Sequence, residues 1–153
     1  MSNARGAGPR KFVILLAEDD RDDVFIATDA LNDANINHDL HRVADGDELM
    51  DYLHGRAGFA SRGAAPRPDL ILMDLNMPGK DGREALKEIK SDPRLRRIPV
   101  VVLSTSSDPV DVADSYDRGA NSYLVKPRDY RGWVEMMRAV DRFWFAQARL
   151  TSH

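Results

Sequence analysis

Three short runs of this chain are apolar at consecutive positions rather than at every second one. They are Phe12-Val13-Ile14-Leu15-Leu16-Ala17, Leu70-Ile71-Leu72-Met73 and Val100-Val101-Val102-Leu103. A strand with one wet face alternates, so these strands must be covered on both faces. Between them the apolar residues switch to helical spacing. Val24, Phe25, Ala27, Ala30 and Leu31 recur that way, with Asp22 and Asp23 well placed in the first turn. Asp39 to Ala44 is a weaker strand, Asp45-Gly46 reads as a turn, and Leu49, Met50 and Leu53 mark a second helix. Residues 69–75 form the central strand, and Ala85, Leu86 and Ile89 carry a helix that ends before Pro93. Pro99 to Ser104 is the fourth strand, and a helix over 108–118 stops at Gly119. Ser122 to Lys126 is the fifth strand, and Asp129 to Gln147 a long final helix. Five strand–helix repeats with right-handed crossovers predict an α/β domain, doubly wound around a five-stranded parallel sheet.

The 153 residues suffice for one such domain. Residues 1–10, with Gly6, Gly8 and Pro9, read as a disordered lead-in, 11–148 as the domain and 149–153 as a tail. A net charge of −3 argues against a nucleic-acid partner. The absence of cysteine excludes a disulfide framework, a thiol nucleophile and a thiolate zinc site. No apolar run has the length of a membrane span, and the N-terminus lacks the apolar core of a signal peptide, so no membrane and a cytoplasmic setting are expected. Residues 54–68 hold Gly55, Gly58, Gly63, Pro66 and Pro68 without periodicity and predict a long loop.

In doubly wound sheets the ligand site lies beyond the carboxyl ends of the strands. Glu18 and Asp19, Asp74, Ser104 and Lys126 each fall at such an end. Asp74 closes the central strand, just before the turn residues Pro78 and Gly79. A carboxylate there is costly to desolvate unless it is paired or bound to metal. Glu18, Asp19 and Asp74 form a set of hard oxygen ligands suited to Mg²⁺. Lys126 adds a fixed positive charge and Ser104 a hydroxyl. Together they describe a site for phosphorylating an aspartate.

The acidic pair, Asp74 with Met77-Pro78-Gly79-Lys80-Asp81-Gly82, Ser104, and Gly119-Ala120-Asn121-Ser122-Tyr123-Leu124-Val125-Lys126-Pro127 resemble the receiver domain of two-component response regulators. The resemblance spans about residues 11–147. It implies the flavodoxin-like (β/α)5 receiver fold and a phosphorelay function. Asp74 would take a phosphoryl group from the phosphohistidine of a histidine kinase. Mg²⁺ would be held by Asp19 and Asp74, by Glu18 through water, and by the backbone carbonyl of Asn76. Asp20 already faces the first helix. Lys126 would contact the phosphoryl oxygens, with Ser104 and Thr105 beside them. The Ser104 hydroxyl would turn inward, and Tyr123 would follow into the space it leaves. Asn76 and Ser106 would flank the path of attacking water and tune the phosphoryl lifetime. The protein would be a signalling acceptor, catalysing only its own phosphorylation and dephosphorylation.

Trp133, Met137, Val140 and Trp144 repeat as one helical face. Met136, Phe143 and Phe145 fall off it and are expected to be exposed, as a partner surface and the interface of a homodimer. No second domain follows the last helix, so output is expected through protein contacts or phosphate relay. The long loop, Gly79-Lys80-Asp81-Gly82-Arg83-Glu84 and Phe143-Trp144-Phe145 resemble stand-alone receivers that serve phytochrome-type histidine kinases. Three rivals fit less well. A haloacid-dehalogenase-class enzyme needs a general acid–base two residues beyond its nucleophile, where Asn76 stands. A flavodoxin-like phosphate binder needs a Gly-rich or hydroxyl-rich loop where Glu18-Asp19-Asp20 would repel the phosphate. A degenerate receiver acting as a scaffold would not need the complete set of site residues.

Overall fold

The computed structural model describes residues 11–61 and 65–150. The lead-in 1–10, Gly63 of the long loop and residues 151–153 of the tail lie outside them. In chain order the elements are β1 (Phe12–Ala17), α1 (Arg21–Asp33), β2 (His38–Val43), α2 (Gly46–His54), β3 (Leu70–Met73), α3 (Gly82–Ser91), β4 (Val100–Ser104), α4 (Pro109–Asp117), β5 (Ser122–Val125) and α5 (Tyr130–Val140). The strands form one parallel sheet in the order β2-β1-β3-β4-β5.

The consecutive apolar runs are explained by this arrangement. Side chains alternate across a strand. Leu15, Ala17, Ile71, Met73, Val100 and Val102 pack against α2 and α3 through Leu49, Met50, Leu86 and Ile89. Ile14, Leu16, Leu70, Leu72, Val101 and Leu103 pack against α1 and α5 through Ala27, Leu31, Trp133 and Met137. Leu15, Ile71, Leu72 and Leu86 are wholly buried, and each such side chain contributes roughly 1.5–3 kcal/mol. At the entry to β3 the buried Asp69 accepts the Val13 amide at 2.8 Å, tying β3 to β1.

Asp45-Gly46 is not a free turn but the start of α2. Asp45 caps the helix by accepting the Glu48 amide at 2.7 Å, and Glu48 reaches back to the Ala44 amide at 2.7 Å. Gly46 is required by its neighbour. A Cβ there would lie 2.0 Å from the Lys80 carbonyl oxygen, so α2 presses directly on the loop that follows Asp74. Gly82 does the same from the other side, since its Cβ would lie 2.8 Å from the Asp74 carbonyl oxygen.

The long loop is partly ordered by its surroundings. Ala57–Phe59 forms one 3₁₀ turn, and the buried Tyr52 donates its hydroxyl to the Pro66 carbonyl at 2.8 Å. The final helix is α-helical only to Val140 and continues over Asp141–Gln147 with wider π turns. In a π turn residues i and i+5 lie above one another. Phe145, five residues beyond Val140, therefore swings onto the core side and stacks on Phe12, with centroids 4.2 Å apart and planes 17° apart. Met136 is half-buried against the α1/α5 side of the core. The expectation of three exposed residues thus holds only for Phe143, at 57 % exposure.

Candidate functional site

Strand register brings the polar ends together. The Glu18 amide donates to Val43 at 3.0 Å, the Asp74 amide to Ala17 at 2.9 Å and the Lys126 amide to Ser104 at 2.7 Å. Four strand ends therefore share one rim. Glu18 is buried there, Asp19 is exposed, and Asp74 is 8 % exposed. Ligand oxygens of these three residues lie within 4.8 Å of one another. Three hard oxygen donors so close suit a divalent cation, whose charge would relieve their mutual repulsion.

Lys126 enters from the end of β5. Its ammonium is 2.7 Å from Asp23 Oδ2, 2.8 Å from Glu18 Oε1 and 3.3 Å from Asp74 Oδ2. Burial alone would lower the Lys126 pKa, but the hydrogen bonds to Asp23 and Glu18 and the charges of Asp74 and Glu18 outweigh it. The lysine is therefore held above its ordinary range and stays charged. Glu18 is pushed up to about 7: burial and the Asp74 charge raise it, against the hydrogen bond and the charge of Lys126. The rim is thus a buried ion cluster with more negative than positive charge.

The remaining predicted residues fall into two sets. The Asn76 amide donates to Asp74 Oδ1 at 3.1 Å, which fixes the carboxylate from its own loop. Ser104 is buried and accepts the Ser106 amide on its hydroxyl at 3.1 Å. Ser106 is a hub: its hydroxyl donates to Asp111 Oδ2 at 2.6 Å, and its carbonyl accepts the Tyr123 hydroxyl at 2.8 Å. Tyr123 is already half-buried against the α2/α3 side of the core. Thr105 is exposed and lines a cleft with Asp23, Lys126 and Trp133.

Two residues at the rim were not singled out from the sequence. Asp23 was assigned only to the first turn of α1, yet it makes the shortest contact to Lys126. No i,i+4 rule could have found it from Asp19, which lies before the Asp20 cap and outside α1. Arg42 donates from Nε to the Glu18 carbonyl at 2.9 Å and from Nη2 to the Asp19 carbonyl at 3.2 Å. It clamps the backbone of the acid pair, and no local pattern in β2 announces it. Asp20 caps α1 by accepting the Asp22 amide at 2.8 Å and the Asp23 amide at 3.3 Å, as expected of an acid facing the first helix.

Comparison with known proteins puts this rim in context. The response regulator receiver domain family model matches residues 14–138. Response regulator Rcp1 of Synechocystis sp. is 42 % identical over 138 residues, covering 90 % of this chain and 92 % of that protein. The crystal structure of the phosphorylated cyanobacterial phytochrome response regulator RcpA superimposes with a TM-score of 0.85 at 43 % identity, covering 94 % of this chain and all of that one. The Mn²⁺-bound form of Rcp1 superimposes with a TM-score of 0.82 at 41 % identity, over 92 % of this chain and 99 % of that one. The match runs from β1 into α5 and so takes in every strand end of the rim, and on that ground the chain belongs to the response regulator receiver family.

Proposed function

We propose that this receiver accepts a phosphoryl group on Asp74 from the phosphohistidine of a histidine kinase. One observation carries the reading: Asp74 is nearly buried, 3.3 Å from the Lys126 ammonium and within ligand distance of Glu18 and Asp19. Mg²⁺ is the cation we propose; Asp19, Asp74 and the carbonyl of Asn76 would hold it, with Glu18 joining through water. When bound it neutralises charge on the incoming phosphoryl group.

The chain's own residues do the rest. An Asp74 carboxylate oxygen forms a bond to phosphorus as the bond to the leaving imidazole nitrogen, or to the acetate oxygen of acetyl phosphate, breaks. The leaving group takes the electron pair. The Asn76 amide holds the other Asp74 oxygen. Lys126 pairs with the new phosphoryl oxygens. Ser104 exchanges its bond with the Ser106 amide for one to the phosphoryl group, with Thr105 beside it. Because Ser106 also holds Tyr123 and Asp111, that exchange reaches α4 and β5. Asn76 and Ser106 set the access of water that later hydrolyses the acyl phosphate, so the protein promotes both its own phosphorylation and its own dephosphorylation.

The kinase is of phytochrome type, a reading supported by the likeness to Rcp1 and RcpA. The protein works in the cytoplasm, without nucleic acid, as a homodimer that uses the exposed Phe143, with the half-buried Met136 and Phe145 at its margin. Acetyl phosphate with Mg²⁺ should add one phosphoryl mass to the intact protein, and Asp74→Asn should not gain it. The same adduct in Asp74→Asn would refute the assignment. Equal phosphotransfer rates from unrelated kinases would remove the phytochrome link, and sedimentation of only monomer at high concentration, with and without phosphoryl mimic, would remove the dimer.

A further inference from the structure

The three protons of the Lys126 ammonium are all engaged, and by carboxylates of unequal standing. Asp23 and Glu18 hold it at 2.7 and 2.8 Å, while Asp74 lies at 3.3 Å. The ammonium is therefore drawn towards α1 and away from the carboxylate it is to serve. A phosphoryl group on Asp74 brings new oxygens that must take at least one of these protons. The Glu18 side chain, 3 % exposed, is shut off from bulk solvent, so giving up the lysine costs it more. The Asp23 side chain is 25 % exposed and can be resolvated. Asp23 also stands outside the group of ligand oxygens around Asp74, so a cation does not compensate it.

We infer that Asp23 is a positioning residue that restrains Lys126 in the resting state and releases it when Asp74 is phosphorylated. This rests on the reading of Asp74 as phosphoacceptor. The restraint sets how readily the rim takes a phosphoryl group: the stronger the Asp23–Lys126 bond, the less the lysine offers to the new oxygens. It involves no chemistry of its own. The phosphorus–oxygen bond forms at Asp74 as before, and only the lysine's partner changes.

Asp23→Asn keeps the shape and an accepting oxygen but turns a salt bridge, charged at both ends, into a weaker bond from the ammonium to a neutral amide. Titration of wild type and variant with beryllium fluoride in the presence of Mg²⁺, followed by ¹⁹F NMR, reads the effect. Asp23→Asn should bind roughly fivefold tighter and hold the phosphoryl group from acetyl phosphate correspondingly longer. Asp22→Asn removes the same charge one residue away without touching the lysine, and should change affinity by less than about twofold. Mg²⁺ affinity without fluoride should stay within about twofold in both. The gain should persist at about 0.5 M salt, where a long-range charge effect is screened. Asp23→Ser, with circular dichroism melts of all variants, guards against a packing fault of the amide.

Unchanged or weaker binding in both Asp23 variants, an equal gain in Asp22→Asn, or a gain that vanishes with salt would overturn the role of Asp23. A wild type that binds no fluoride and gains no adduct would instead refute the phosphoacceptor reading, and this inference with it.

Discussion

Removing the Lys126 ammonium should cost the fold far more than removing a surface lysine. In Lys126→Met the apolar stem stays and only the charge is lost. Glu18, Asp23 and Asp74 then face one another with side-chain exposures of 3, 25 and 11 % and no cation. Leaving buried charge unpaired in this way costs about 3–5 kcal/mol. The cost depends on pH, and its sign follows from Glu18. Already pushed up to about 7, chiefly by burial and despite Lys126, Glu18 loses that opposing bond in the variant and rises further. Both folded proteins keep the Glu18 proton up to about pH 7, and above it only the variant still holds it, so the variant's stability falls further relative to wild type as pH rises past about 7. Urea denaturation should therefore show a clearly larger loss at pH 8 than at pH 5. Millimolar Mg²⁺ should recover part of it at pH 8 by taking over the charge compensation. Lys87→Met, on the exposed side of α3, should stay within about 0.5 kcal/mol. A loss below about 1 kcal/mol at pH 8, or equal losses at both pH values, would refute the view of the rim as an ion cluster held by this one lysine.

Gly46→Ala should destabilise by about 2–3 kcal/mol in thermal or urea melts, because the new methyl group meets the Lys80 carbonyl oxygen and neither backbone can easily yield. Phe145→Ala should cost about 1–2 kcal/mol through the lost stack on Phe12, whereas Phe143→Ala, at an exposed position, should leave stability within about 0.5 kcal/mol. Lys90, lowered by burial to about 8, donates to the Arg96 and Ile98 carbonyls in either protonation state. The unfolded chain binds more protons between about pH 8 and 10.5, so wild-type stability should rise with pH relative to Lys90→Met across that window and show no such rise below it.

The three central strands were legible because burial on both faces leaves an unmistakable consecutive apolar run. Their ends were legible for the same reason: the first polar residue after each run had to sit on the rim. Glu18, Asp19, Asp74, Ser104 and Lys126 were therefore readable, and all stand at strand ends. What could not be read depends on geometry that single residues do not announce. Asp45-Gly46 has the composition of a turn, and only the approach of Lys80 shows why the glycine stands inside a helix. Phe145 was misplaced because a 3.6-residue period was carried past Val140 into turns that follow a wider one. Asp23 and Arg42 act across elements, on a lysine 103 residues away and on a carbonyl 24 residues away. Residue type alone gives acids in a first turn and an arginine in a strand their ordinary local roles.

The site and its output share a backbone contact. The hydrogen bond from the Lys126 amide to the Ser104 carbonyl is the last rung of the β4–β5 ladder, so the lysine and the serine cannot shift independently. Above that rung Lys126 holds the carboxylates; beside it Ser104, through Ser106, holds Tyr123 and Asp111. A phosphoryl group that draws Lys126 from Asp23 and Ser104 from the Ser106 amide pulls on both ends of one rung. The packed strands on either side resist gradual deformation, so on the proposed reading the response would be a shift between two discrete arrangements of the β4–α4 segment. On the proposed reading, Asp23 would bias that balance from the resting side; Asp111 receives the Ser106 hydroxyl at the start of α4.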